Sequence, residues 1–240
     1  MTASAELKSQ VAWACRIMAL HGHADITLGH VSARGPNETV LIKRKDIGLD
    51  EVDPSDVITV DMEGNKLEGE GQVHLETALH IEAYRLRPDA HAIAHTHPPY
   101  ATALSATDAS IELLNHDGLL FYEGIGSFDE TAGLITSKKL GQTVAKALGQ
   151  RKAVLMRNHG ILVVGKSVPW LTYVTLTLER AAQIQFISSG FGLPKPLPKE
   201  TAERLYADKY REEFVESYWR YLVRKVRRYS MDSNLPEDPK

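Results

Sequence analysis

The sequence predicts an α/β chain folded as an α/β/α sandwich around a mixed or mainly antiparallel sheet. Three observations predict it. Helical apolar periodicities alternate with short strand-like runs. Turn sequences such as Gly35-Pro36-Asn37 join neighbouring runs as hairpins would. No GxGxxG or Walker stretch supports a nucleotide-binding fold instead.

Taken in order, Ala5–His21 reads as a helix, with Leu7, Val11, Ala14, Cys15 and Met18 at spacings of three and four. Thr27–Arg34 alternates as a short strand, Thr39–Ile42 is its hairpin partner, and Val57–Val60 is another strand. Asp61–Gly71 reads as turn and loop, and His74–Leu86 as a second helix. Ala90–His97 is a buried strand stopped by Pro98-Pro99, which can neither extend a ladder nor enter a helix interior. Ala101–Ser105 reads as a short helix, and Ile111–Leu114 and Gly118–Tyr122 as extended. Thr136–Ala147 is helical with Ser137 as its cap, and Ala153–Met156 and Ile161–Val164 are strands. Val168–Ile187 is a long helix begun at Pro169, followed by a Gly/Pro connector over Phe191–Pro198. Leu205–Tyr229 is mostly helical, with an aromatic stripe of Tyr210, Phe214, Tyr218 and Tyr221 suited to packing against the body or a neighbouring subunit. The tail beyond Tyr229 is polar and expected to be loose.

No composition shift divides the chain, so one domain over 1–240 with a helical C-terminal arm at about 199–230 is expected. The net charge of −3 argues against general nucleic-acid binding, and the basic run at 224–228 reads as a solvated helix face. The single cysteine, Cys15, excludes an internal disulfide and a thiolate metal cluster. With no membrane-length apolar run and no signal-type N-terminus, a cytoplasmic protein without membrane partners is expected.

The chemistry concentrates in the histidines. His95 and His97 sit two apart on a predicted strand, so both rings leave the same face. His159 follows another apolar strand and precedes Gly160. If the two strands are neighbours, three imidazoles converge, a donor set for Zn²⁺, or for Mn²⁺, Fe²⁺ or Co²⁺ once oxygen ligands are added. The competing reading is three satisfied buried or surface histidines. Proton transfer needs a further group, and Glu76 and Glu82 on the preceding helix are the candidates. Glu76 is preferred because a helix start and the next strand's end can share one side of the layer, while Glu82 reads as a surface residue. Glu76 and His80, one turn apart, could also form a ligand pair; the plainer reading of Glu76 is a first-turn carboxylate favoured by the helix dipole.

The stretches GHVSAR (Gly29–Arg34), HLETALHIEAYRLRPDAHAIAHTHPPYATALS (His74–Ser105) and RNHGILVVG (Arg157–Gly165) resemble the class II aldolase/adducin family over roughly residues 5–190. The resemblance implies an α/β/α sandwich around a mainly antiparallel nine-stranded sheet. It implies one divalent metal ion on His95, His97 and His159, and Glu76 as the acid/base. It also implies a homo-oligomer of four or more subunits with sites near the subunit boundaries. Three departures narrow the activity. His30 stands where the family's sugar-phosphate aldolases carry the asparagine of GNxSxR. His74 and Leu75 stand where those enzymes place two serines, and the Lys43-Arg44-Lys45 region replaces their phosphate-binding Thr-Gly or Ser-Gly. The remaining imidazoles and basic residues suit carboxylates on a flat or apolar acid. The pattern resembles the branch that decarboxylates hydroxylated aromatic dicarboxylates, such as dihydroxyphthalates, or related dienoic ring-cleavage acids. The alternative is an aldolase or epimerase acting on a sugar or hydroxy-keto acid. A non-catalytic head domain of the adducin kind is disfavoured by the intact three-histidine set. His30, His74, His80 and His116 are candidates for holding the second carboxylate or assisting proton transfer, and Arg34 or Arg157 for a structural pair or a substrate clamp.

Overall fold

Strand alternation builds the core. A computed structural model describes residues 3–230 and 235–236. Its strands are β1 (His30–Arg34), β2 (Val40–Lys43), β3 (Val57–Val60), β4 (Lys66–Glu68), β5 (Ala92–Thr96), β6 (Gly126–Phe128), β7 (Ala153–Met156) and β8 (Gly160–Gly165). They form one sheet in the order β4-β3-β2-β1-β5-β8-β7-β6. Neighbours are antiparallel except β6 and β7, which are parallel. The helices are α1 (Ala3–Met18), α2 (Thr77–Leu86), α3 (Pro99–Ser105), α4 (His116–Leu119), α5 (Lys138–Leu148), α6 (Val168–Ser189), α7 (Lys199–Lys209) and α8 (Glu212–Tyr229).

On one face of the sheet Val31, Ala33, Ala92, Ala94 and Val163 pack under α1, α6 and α8, which contribute Trp13, Ile17, Leu178 and Trp219. On the other, Ile42, Ile58, Ile93, Val154 and Leu162 pack under α2 and α5, which contribute Leu79, Tyr84, Val144 and Leu148. Each fully buried Leu or Ile of these layers contributes about 1.5–3 kcal/mol. The predicted three-layer sandwich is therefore present. The C-terminal arm joins the first layer: Tyr218 stacks on Tyr173 of α6, with ring centroids 5.3 Å apart, and Tyr210 packs on Tyr173 and Tyr206.

Several expectations are corrected. The sheet has eight strands among the described residues, not nine. The loop expected at 61–71 contains β4, a fully exposed edge strand without apolar alternation. Gly118–Tyr122, expected to be extended, belongs to α4 and the turns after it. There Asn115 caps the helix by accepting from the Gly118 N–H at 3.0 Å. Ile111–Leu114 forms no strand, and the three-residue β6 was not anticipated. Helix α2 begins at Thr77, three residues later than expected, because the His74 carbonyl accepts from both the N–H and the hydroxyl of Thr77 in a turn. Glu82 is buried, with Arg85 3.4 Å away, rather than on the surface. The expected loose tail lies mostly outside the described residues. Among the described residues no helix is long and apolar enough to cross a membrane.

Candidate active site

Register assembles the site. β1 and β5 pair so that His30 lies directly opposite His95. Both rings leave the α2 face, and His97, two residues on, follows His95. β8 is the other neighbour of β5, so the β7–β8 turn carrying His159 arrives beside the same strand end. Asn158 in that turn adopts a left-handed φ of 55°. Gly160, directly after His159, has to be glycine, because a Cβ there would lie 2.5 Å from His97 Cδ2 and 2.7 Å from the Thr96 carbonyl oxygen.

The three rings offer nitrogens within 4.8 Å of one another. His95 Nδ1 donates to the Ile161 carbonyl at 2.9 Å, and His97 Nδ1 donates to Asp25 Oδ2 at 3.0 Å. With those protons committed, both Nε2 atoms present lone pairs, and they stand 3.1 Å apart. Two lone pairs at that distance require a positive charge between them. Nitrogens about 2.0–2.1 Å from one Zn²⁺ in a tetrahedral shell sit at about this separation. The donor chemistry thus fits a divalent cation. Burial, reinforced by His97, pushes the His159 imidazole down to about 4, and burial holds His95 well below the ordinary histidine range, so both are neutral donors at neutral pH.

Glu76 stands at the centre, as the residue capping α2 rather than within it. Its Oε2 is 3.6 Å from Nε2 of both His30 and His95, and its Oε1 is 3.8 Å from His159 Nε2. The Ile135 N–H donates to Oε1 at 2.8 Å. Burial raises the carboxyl above its ordinary range, opposed by the Ile135 N–H and by His97. His30, His74 and Glu76 form a second group whose donor atoms also fall within 4.8 Å. Burial, with Lys43 and Lys45 beside it, pushes His74 down to about 4.

A cavity of about 590 Å³ opens over these groups. Its polar lining includes His74, Glu76, His97, His159 and Lys45, and its apolar lining includes Leu28, Leu75 and Leu134. Those leucines are 45%, 55% and 53% exposed, so their apolar faces are open to a ligand. His30 and His95 lie fully buried behind them.

The other predicted groups are placed differently. His80 is wholly buried behind His30 and does not line the cavity. His116 is exposed at the start of α4, outside the cavity lining, and its carbonyl accepts from the Tyr210 hydroxyl. Glu76 and His80 do not converge as one-turn partners, because His80 turns to Ser32 and His30. Arg34 donates to the Tyr84, Arg87 and Ala90 carbonyls and is a structural tie. Arg157 pairs with Asp108 at 2.7 Å. Of the basic triplet, Lys43 is buried on the Thr27 carbonyl, Arg44 pairs with Asp56, and Lys45 alone reaches the cavity. Sequence reasoning missed Asp25, Leu28, Leu134 and the Ile135 amide. None carries a local signal, since each comes from a loop whose neighbours in space are distant in sequence.

The sheet order, the imidazole triad and the central carboxylate define an α/β/α protein able to hold a divalent cation. Residues 9–186 match the model of the class II aldolase and adducin N-terminal domain, and the chain belongs to that family. It is 28% identical to a 3,4-dihydroxyphthalate decarboxylase of Arthrobacter keyseri, over 91% of this chain and 93% of that protein. It is 32% identical to the decarboxylase NovR of Streptomyces niveus, over 63% of this chain and only 57% of that protein. A solved L-fuculose 1-phosphate aldolase superposes with a TM-score of 0.77 at 25% identity, covering 87% of this chain and 97% of that one.

Proposed function

We propose that this protein is a divalent-metal-dependent carbon–carbon lyase that decarboxylates a hydroxylated aromatic dicarboxylate. The observation that carries this reading is the composition of the cavity wall. Leu28, Leu75 and Leu134 offer apolar faces to a flat ring, while His74 and Lys45 supply donors for carboxylates. A sugar phosphate, polar on every side, would leave those leucines facing hydroxyls.

His95, His97 and His159 would hold the cation, which when bound supplies Lewis-acid polarisation of an oxygen next to the scissile carbon. The leucines orient the ring and exclude water from its faces. His74 and Lys45 hold the carboxylates, and the buried His30 backs Glu76 from beneath. The bond between ring carbon and carboxylate breaks, CO₂ leaves, and the electron pair stays on the ring carbon. Glu76, whose burial favours the protonated form, delivers its proton to that carbon. The wholly buried His80 can act only through His30, and His116 is given no part.

The second reading is aldol cleavage or epimerisation by the same triad and glutamate. The likeness to L-fuculose 1-phosphate aldolase backs this alternative, and across the solved structures it has more support than decarboxylation. One experiment separates them. Zn²⁺- or Mn²⁺-loaded protein is offered ortho-hydroxy aromatic dicarboxylates, with CO₂ measured, beside sugar phosphates, with released aldehyde measured. Metal-dependent CO₂ release that collapses in Glu76→Gln is expected. Aldehyde from a sugar phosphate without CO₂ from any acid replaces the first reading with the second.

A further inference from the structure

Behind the cavity floor runs a line of hydrogen bonds that the reaction above leaves without a purpose. Tyr84 Oη meets Ser32 Oγ at 2.9 Å, Ser32 Oγ meets His80 Nδ1 at 2.6 Å, and His80 Nε2 meets His30 Nδ1 at 2.6 Å. The line follows from two periodicities. His30 and Ser32, two apart on β1, face α2, and His80 and Tyr84, four apart on α2, face back. All four residues are at most 1% exposed. The line ends at His30 Nε2, which is buried without a hydrogen-bond partner and faces Glu76 Oε2 at 3.6 Å.

Counting protons sets its direction. The four neutral groups carry one mobile proton each, and the three contacts need one each. One proton is left over. If it belonged to Tyr84 or Ser32, a buried hydroxyl would point at no acceptor: Ser32 has only His80 and Tyr84 as side-chain partners, and the Ile93 backbone beside Tyr84 favours the phenolate, so it donates to Oη rather than accepting from it. Native interiors avoid that arrangement. If it belongs to His30, every contact runs the same way: Tyr84 donates to Ser32, Ser32 to His80 and His80 to His30 Nδ1. The spare proton then sits on His30 Nε2, beside a carboxylate oxygen.

We propose that Tyr84, Ser32 and His80 are positioning residues that lock His30 in its Nε2–H tautomer, making it a hydrogen-bond donor aimed at the acid/base carboxylate of Glu76. The lock also chooses between the two donor groups around Glu76. A ring nitrogen that carries a proton has no lone pair for a metal, so His30 is withdrawn from the His30/His74/Glu76 group and the cation is left to His95, His97 and His159. The service to Glu76 in proton delivery rests on the decarboxylase reading, whereas the tautomer and the choice of metal group do not.

The test reads the tautomer directly and needs no turnover. ¹⁵N-histidine-labelled full-length protein, loaded with diamagnetic Zn²⁺, is examined by long-range ¹H–¹⁵N correlation, with His30→Asn used to assign the His30 signals. The wild type is expected to show His30 protonated at Nε2 alone. Ser32→Ala removes the donor to His80 and is expected to shift His30 into a mixture of Nε2–H and Nδ1–H forms. Tyr84→Phe, which keeps the ring volume, is the second variant, and a mixture in either supports the lock. A wild type protonated at Nδ1, a His30 nitrogen signal displaced by Zn²⁺ ligation, or pure Nε2–H in every variant that folds would overturn it. Absence of CO₂ release with the Nε2–H tautomer intact would sink the decarboxylase reading and leave the lock standing.

Discussion

Two sets of imidazoles meet at Glu76, and they differ in what stands behind them. Behind His95 and His97 are pure acceptors, the Ile161 carbonyl and the Asp25 carboxylate. Acceptors draw the ring protons backward and leave lone pairs facing the cavity. Behind His30 stand His80, Ser32 and Tyr84, groups that can donate, and their protons run forward. The same side chain thus becomes ligand or donor according to its partner on the far nitrogen. The first set lies at a strand end and a turn beside the open cavity, and the second is sealed between β1 and α2.

That contrast can be broken from either side, and the largest effect is expected from the first set. His97→Ala should abolish Zn²⁺ binding, measured by metal analysis after dialysis, and lower turnover by about a thousandfold or more. Glu76→Gln should lower turnover by about 10²–10⁴-fold while metal content stays unchanged, because the carboxylate serves proton transfer rather than ligation. Asp25→Asn leaves the His97 ring in place but weakens the acceptor behind it. A loss of about 10–100-fold in Zn²⁺ affinity is expected by competition titration, and unchanged affinity would mean that the pair with His97 has no part in metal binding.

The second set should answer to pH. Burial, with His74 nearby, pushes His80 down to about 3 from the ordinary 6.5. Between those values the unfolded chain binds a proton that the folded chain refuses, so stability falls as pH drops from about 6.5 toward 3 and is untouched above that window. Each such histidine adds about 1.4 kcal/mol per pH unit to the slope. Urea midpoints of the metal-free protein should therefore fall between pH 7 and pH 5, and His80→Gln should lessen the fall by one histidine's share. The smallest expected change is in the cavity wall, where Leu75→Ser should raise KM for an aromatic acid by a few-fold, about 1 kcal/mol of lost apolar contact, with kcat nearly unchanged.

Much of the site was legible in the chain. His95 and His97 at strand period, the His-Gly pair after a second apolar strand, and a glutamate near a helix start are local patterns, and the structure brings all four side chains together. Less of the periphery was legible. β4 is exposed on both faces and β6 is only three residues long, so neither carries an alternation signal. The apolar run after Gly118 resembles a strand until the Asn115 cap closes the turn. His116 and His80 looked equivalent to His30 because spacing says nothing of which ring reaches a cavity.

By itself, then, the sequence determined what is written in near neighbours: the period-2 and period-3.6 patterns that make the layers, the prolines that end β5, and the glycine that lets the His159 turn approach His97. Tertiary structure alone decided which distant groups stand behind each ring. Asp25 behind His97, the Ile135 amide on Glu76, Leu134 in the wall and Tyr84 at the root of the His30 chain lie tens of residues from the groups they serve or face them across β1 and α2. Strand register and loop placement bring them within a few ångströms, and hydrogen bonding and dispersion act only at that range.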